Sequence, residues 1–437
     1  MKRKALLAAL VGAGLVTFGS AQAQTEIQWW HSMGGALGER TNEIAAGFNA
    51  SQKDWKVTAI YKGSYPESMT AAIAAFRAGN PPHIVQVFEV GTATMMAAKG
   101  AVKPVYQLMK EAKEPFDPKN YLGAVAGYYM DPKGNLLSMP FNSSTPVFYV
   151  NKDAFKKAGL DPEKAPKTWK EFEAAAAKLK AAGQECVYTT SWPSWVHVEN
   201  FSAWHNLPIG TKQNGFGGLD TRFTINSPTH VKHVAMLGDF VKKGYFTYAG
   251  LGNKGDAKFA SGECAMFTGS SGARANIKKL DKFAFSVNFL PYHDDVKGAP
   301  QNSIIGGATL WVLSQKDKKV YAGIAKFFTY LSSVEVQAKW HQQTGYAPIT
   351  NAAYDATKAA GFYTENPGTD IQVRQLNYKA PTANSKGLRF GNFVQGRKVI
   401  EEEMEAVFAG KKDAKTAMND AVKRGNEILE QFQAANK

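Results

Sequence analysis

Short, continuously apolar runs alternate with stretches of helical spacing from Thr25 onward, and few folds accept such a pattern. Residues 25–30, 57–61 and 84–88 have the length and composition of strands. Between them, the residues up to Phe48 and the segment 66–77 carry helical spacing, with Met69, Ile73 and Phe76 on one face and Gly79 as the stop. Strands and helices in alternation predict an α/β sheet with mainly parallel strands. Ligands of such sheets bind beyond the carboxyl ends of the strands. Here those ends are Trp30 and His31, the segment 61–65, and Glu89.

The stretch 139–172, MPFNSSTPVFYVNKDAFKKAGLDPEKAPKTWKEF, repeats the pattern in its most legible form. Residues 147–150 form an apolar run of buried-strand length. Asn151 then opens a short helix that stops near Gly159, a residue suited to a left-handed cap. Thr168 and Glu171 stand three apart as a capping box, and Pro166 keeps the chain extended up to it. Downstream, 171–182 reads as helix and 186–190 as strand, ending in the sequence SWPSW. Ser227 and Pro228 start a helix to Lys243, and 264–268 is a strand followed by Gly269-Ser270-Ser271-Gly272. Residues 283–290 and 304–313 are extended, the latter interrupted by Gly306-Gly307. The remainder is almost all helical, including 393–408 and 414–432. Without an internal repeat or a low-complexity linker, a two-lobed body with several chain crossings is expected, not two domains on a tether.

Residues 1–23 read as a cleaved signal peptide: Lys2, Arg3 and Lys4, an apolar stretch from Ala5 to Phe18, and the small-residue site Ala21-Gln22-Ala23. The mature chain is expected to begin at Gln24, with no cysteine there to carry a lipid. No later apolar run reaches spanning length, which points to the periplasm. The formal net charge of +15 raises the question of nucleic acid, but the lysines are dispersed over helix surfaces, as at Lys170, Lys178 and Lys180. No nucleic-acid partner is expected; a positive field outside the cytoplasm suits an anionic ligand or anionic lipid head groups better. The two cysteines, Cys186 and Cys264, permit one disulfide in an oxidising compartment.

Enzyme signatures are missing: the chain has no GxSxG elbow, no HExxH, no phosphate-binding P-loop and no GxGxxG in strand–helix context. His230 and His233 stand at helical i,i+3 spacing, which can face a metal, yet no third ligand lies near them in sequence. What remains are glycine–serine loops. Ser143-Ser144, Ser270-Ser271 and Gly306-Gly307 each flank a strand end or a helix start, where free amides and hydroxyls suit an anion.

Longer strings carry a resemblance over essentially the whole mature length. They are WHSMGGALG at 30–38, YKGSY at 61–65, QVFEVGTATMMAAKGAVKPV at 86–105, PFNSSTPV, ENFSAWHNLP, APQNSIIGGATLWV, WHQQTGYAPIT and KGLRFGN. The chain resembles the extracellular solute-binding proteins that feed ABC importers, and among them the members that bind sn-glycerol 3-phosphate. That resemblance implies a type II periplasmic binding fold: two α/β lobes joined by a multi-strand hinge, with a helical C-terminal segment. It implies an N-lobe of 24–142 and 294–345 and a C-lobe of 143–293 and 346–437. It carries ligand contacts onto Tyr65, Glu89, Ser144, Ser270, Gly307, Tyr346 and Arg397, and a pocket tryptophan onto Trp192. Pro66, just after Tyr65, departs slightly from the expected loop.

In chemical terms, Arg397 would supply the cation for a phosphate, with Ser144, Ser270, Tyr346 and the Gly307 amide filling the remaining lone pairs. Glu89 would accept from glycerol hydroxyls, and Trp192 or Tyr65 would cover the carbon chain. Trp204 and Trp311 are expected in the core. The implied function is capture of sn-glycerol 3-phosphate, or a glycerophosphodiester such as glycerophosphocholine, by a monomer that docks on a membrane permease above a cytoplasmic ATPase. No bond chemistry, cofactor or metal is implied. An oligosaccharide binder of the same fold and a periplasmic phosphodiester hydrolase are the alternatives.

Overall fold

A computed structural model describes residues 24–315 and 317–436. The proposed signal peptide therefore lies outside the described residues. No described helix is long and apolar enough to cross a membrane.

Two mixed sheets organise the chain. The first contains β1 (Thr25–His31), β2 (Trp55–Tyr61), β3 (Ile84–Phe88), β4 (Val102–Lys103), β5 (Met139–Ser144) and, from far downstream, β10 (Gly306–Leu313). Its order is β2-β1-β3-β10-β4, with β5 also paired to β10. The second sheet takes β6 (Pro146–Asn151), β7 (Cys186–Thr190), β8 (Cys264–Ser270) and β9 (Phe285–Asn288) in the order β7-β8-β6-β9.

The expectation of mainly parallel strands needs correction. β1 runs parallel to β2 and β3, and β7 parallel to β8, but β10 is antiparallel to β3, β4 and β5, and β6 to β8 and β9. The cause is the crossing between sheets. Only Thr145 separates β5 from β6, so the chain passes directly from one sheet into the other, and β10 later returns to the first. A parallel neighbour needs a long crossover connection, whereas strands arriving from the other lobe carry no such constraint. The Thr145 hydroxyl fixes the crossing by donating to Ser303 Oγ at 2.7 Å and to the Ile304 carbonyl at 3.0 Å.

Local signals act where the spacing puts them. Thr168 Oγ1 accepts from the Glu171 amide at 3.1 Å while Glu171 reaches back to the Thr168 amide, opening the helix Trp169–Ala181. Asn151 Oδ1 accepts from the amides of Asp153 and Ala154, starting the helix Lys152–Lys157. Both caps satisfy amides that the first helical turn leaves without partners. Two aromatic cores back the sheets: Trp29, Phe141, Phe327 and Trp340 in one lobe, and Phe148, Phe172, Tyr188 and Phe240 in the other. Trp204 and Trp311 are buried as packing residues. A disulfide joins Cys186 to Cys264, which face each other at the start of β7 and β8.

Five of the eight histidines meet inside the second lobe. His197 Nδ1 bonds His233 Nε2 at 3.1 Å, His233 Nδ1 bonds His293 Nε2 at 3.2 Å, and His205 Nε2 accepts from the His293 amide. His230 Nε2 pairs with Ser202 Oγ at 2.8 Å. Sequence spacing showed only His230 and His233; folding adds the other three. Burial lowers all five, His230 and His293 to about 4 and His197 and His205 to about 3, so each is neutral at pH 7. Their nitrogens are strung along a chain of mutual bonds. Among the described residues, the only group of three potential ligands whose donor atoms converge is Cys186, Glu263 and Cys264, and its sulfurs are spent on the disulfide.

Candidate ligand-binding cleft

A cleft of about 500 Å³ opens between the two sheets. Its walls are strand ends and the loops that follow them, where an α/β sheet leaves backbone groups and short loops exposed. Tyr65, Glu89, Ser144, Trp192, Ser270, Gly307, Tyr346 and Arg397 all line it. The structure thus brings together every residue that the sequence strings singled out for ligand contact.

Beyond β3, Glu89 and Arg397 form one end. Arg397 comes from the helix Phe393–Phe408 and is 5 % exposed. Its Nε donates to Glu199 Oε1 at 2.8 Å, and its Nη2 donates to Glu199 Oε2 at 2.6 Å and to Glu89 Oε1 at 2.5 Å. Ser194 Oγ supports Glu199 with a further bond at 3.0 Å. Burial acts to lower the Arg397 guanidinium, and the two carboxylates more than reverse that, holding it charged. Burial pushes Glu89 up against the pull of Arg397, with the Glu199 charge adding to the rise. Glu401, one turn along the same helix, is raised by burial to about 7. Arg397 therefore does not enter the cleft as a free cation. Its Nη1 alone has no partner among the described residues.

The opposite wall offers neutral donors. Ser270 ends β8, and its Oγ accepts from the Gly272 amide at 3.1 Å, which leaves its own hydrogen for another acceptor. The Tyr149 hydroxyl lies within bonding distance of the Ser270 and Ser271 carbonyls and pins that loop. Ser144 ends β5 opposite Gly306. Gly307 has φ +88°, and a Cβ there would sit 1.9 Å from the Asn142 carbonyl oxygen. Its missing side chain is thus required first by the close approach of β5. Tyr346 stacks on Trp340 at 5.7 Å, and burial pushes its phenol up to about 12, so it stays a proton donor.

A chain of amides ties the N-terminal wall together. Gln86 Oε1 accepts from the Ser32 amide at 2.7 Å, Gln86 Nε2 donates to Asn142 Oδ1 at 2.7 Å, and Asn142 Nδ2 donates to the Tyr65 hydroxyl at 2.9 Å. Tyr65 also stacks on Phe88 at 5.2 Å and tilts toward Trp192 at 6.4 Å. Trp192 is held in the left-handed region at φ 53°, unusual for so bulky a residue, with its amide bonded to the Gly252 carbonyl.

Contacts cross the cleft. Asn276 Oδ1 accepts from the Ala36 amide at 3.3 Å, at the start of the helix Gly35–Ser51, and Lys279 pairs with Glu39 at 2.7 Å. That helix has no side-chain cap from its own N-terminal residues, so the opposite lobe supplies one.

Sequence reasoning missed four residues of this region. Trp195 lines the cleft with a buried Nε1 that has no partner, and only its spacing of three from Trp192 hinted at it. Asp256 and Asn276 also line the cleft, and Glu199 anchors Arg397 from behind; no local pattern marks any of the three.

The description "Bacterial extracellular solute-binding protein" matches residues 43–369. The sn-glycerol-3-phosphate-binding periplasmic protein UgpB of Yersinia pseudotuberculosis is 54% identical over 419 residues, covering 96% of this chain and 95% of that protein. UgpB of Escherichia coli K12 is 52% identical over 438 residues and covers both chains completely. Among solved structures, UgpB from Mycobacterium tuberculosis in complex with glycerophosphocholine superposes with TM-score 0.77 at 22% identity, covering 94% of this chain and 99% of that one. An ABC substrate-binding protein from Listeria monocytogenes in complex with cycloalternan also reaches 0.77, at 19% identity over 93% of this chain and all of that one.

Proposed function

This chain belongs to the bacterial extracellular solute-binding proteins, and from that premise we propose that it captures sn-glycerol 3-phosphate and its diesters for an ABC importer. The fold alone does not choose the ligand, since a cycloalternan-binding protein shares it equally well. Full-length relatives above 50% identity favour the glycerol phosphate reading over an oligosaccharide.

The observation that carries the reading is the division of the cleft into an ionic end and a neutral end. A hydroxyl between Glu89 and Arg397 donates to the carboxylate and accepts from Nη1, which suits the glycerol diol. Phosphate oxygens face the Ser144 and Ser270 hydroxyls, the Tyr346 phenol and the Gly307 amide. Trp192 and Tyr65 cover the carbon chain. The lobes, 24–142 with 294–345 and 143–293 with 346–437, close over the ligand by a hinge at the strand crossings. The monomer works in the periplasm after losing residues 1–23, and each lobe meets one permease subunit above a cytoplasmic ATPase.

Isothermal titration with glycerol 3-phosphate, glycerophosphocholine and maltose tests this. Heat with at least one glycerol phosphate and none with maltose is expected. Binding of maltose alone would transfer the chain to the oligosaccharide binders, and turnover of a chromogenic phosphodiester would revive the hydrolase.

A further inference from the structure

At the end of the cleft away from Glu89, one carboxylate has no cation. Asp256 lines the cavity, accepts from Ser191 Oγ through Oδ1 at 2.6 Å, and forms no salt bridge among the described residues. Two aromatic rings stand beside it. Ser191 precedes Trp192, the Trp192 ring packs within 4 Å of the Cβ position of Gly252, and Tyr65 faces Trp192 from the other lobe. The loop 252–256 thus holds the indole and the carboxylate on one short segment.

We propose that Asp256, with Trp192 and Tyr65, forms a subsite for a cationic amino-alcohol head group, so that the cleft selects zwitterionic phosphodiesters over uncharged-head diesters. This deepens the ligand reading proposed above and rests on it. A quaternary ammonium is stabilised by ring faces and by a nearby anion, and both are present at this end. Burial raises the Asp256 carboxyl to about 6, the mark of an anion whose surroundings lack a counter-charge until a ligand brings one. The ionic end points the same way. Arg397 already faces two carboxylates, so the cleft has little spare positive charge for a dianionic monoester. A diester phosphate brings one negative charge, and a choline head cancels it.

The test is calorimetry on the wild-type chain with glycerophosphocholine, glycerophosphoglycerol and glycerol 3-phosphate, then on Asp256→Asn and Ser191→Ala. The wild type is expected to bind glycerophosphocholine about tenfold more tightly than glycerophosphoglycerol, about 1.4 kcal/mol. Asp256→Asn is expected to bring that ratio close to one. Ser191→Ala keeps the carboxylate and is expected to keep most of the ratio. Equal wild-type affinities for the two diesters overturn the subsite, even if Asp256→Asn fails to fold. A ratio that survives Asp256→Asn overturns it as well. If glycerol 3-phosphate binds and no head-group preference appears, only the subsite falls; if none of the three binds, the ligand reading falls with it.

Discussion

Replacing Arg397 by alanine tests the ionic end of the cleft most directly. The guanidinium makes three bonds to two carboxylates that are themselves 0 % and 4 % exposed. Its loss leaves Glu199 and Glu89 buried without a counter-charge. Breaking such a buried pair from one side costs about 3–5 kcal/mol, mostly from the stranded charge. Ligand binding loses a charge-assisted donor as well, about 1.5–3 kcal/mol or roughly 10- to 150-fold in Kd. The two losses separate in a second variant. Arg397→Ala/Glu199→Gln removes one stranded charge, so part of the stability returns while the affinity stays low. Urea denaturation at pH 7 measures the first quantity and titration with glycerol 3-phosphate the second. If Arg397→Ala stays within 0.5 kcal/mol of wild type, a bound set on the ordinary scatter of surface substitutions, the triad does not carry this part of the fold. If the double variant also regains wild-type affinity, Arg397 acts only as a brace.

Three further outcomes are expected. Asn276→Ala removes the cap that one lobe lends to the other, and ligand affinity should fall by about 0.5–2 kcal/mol, chiefly through faster release in stopped-flow measurements; an unchanged release rate would make the contact incidental to closure. Gly307→Ala forces a methyl against the Asn142 carbonyl at φ +88°, and about 2–5 kcal/mol of stability should be lost, read as a lower urea midpoint. Acid should destabilise the chain between pH 6.5 and about 4: the five clustered histidines are buried neutral, so the unfolded state binds more protons there and stability falls as pH falls, by up to about 1.4 kcal/mol per pH unit for each net proton. Glu401 and Asp256, raised to about 7 and about 6, oppose this, since the folded state holds their protons, but they are fewer. Melting temperatures at pH 7.5, 6 and 5 check the slope, and His233→Phe, which extends the stacking on Phe201 at 4.0 Å, should flatten it.

Local interactions were legible in the order of residues. The Thr168–Glu171 box, the Asn151 cap and the buried strand at 84–88 act within a few positions, so spacing alone encodes them. The eight cleft residues were legible for another reason: each sits inside a long string of unusual composition, and the strings together imply one family. Tertiary structure decided everything that depends on distant partners. Arg397 and Glu89 are 308 residues apart, and Arg397 and Glu199 are 198 apart, so no window of sequence shows that the cation is already shared. His293 comes to His233 across 60 positions, turning a spacing of three into a buried chain of rings. Strand direction followed the same rule, because β10 reaches the first sheet by crossing back from the other lobe. Sequence sets what each segment can be within about one turn or strand; the charge balance of the cleft forms only when the chain closes loops of hundreds of residues and removes water from the groups brought together.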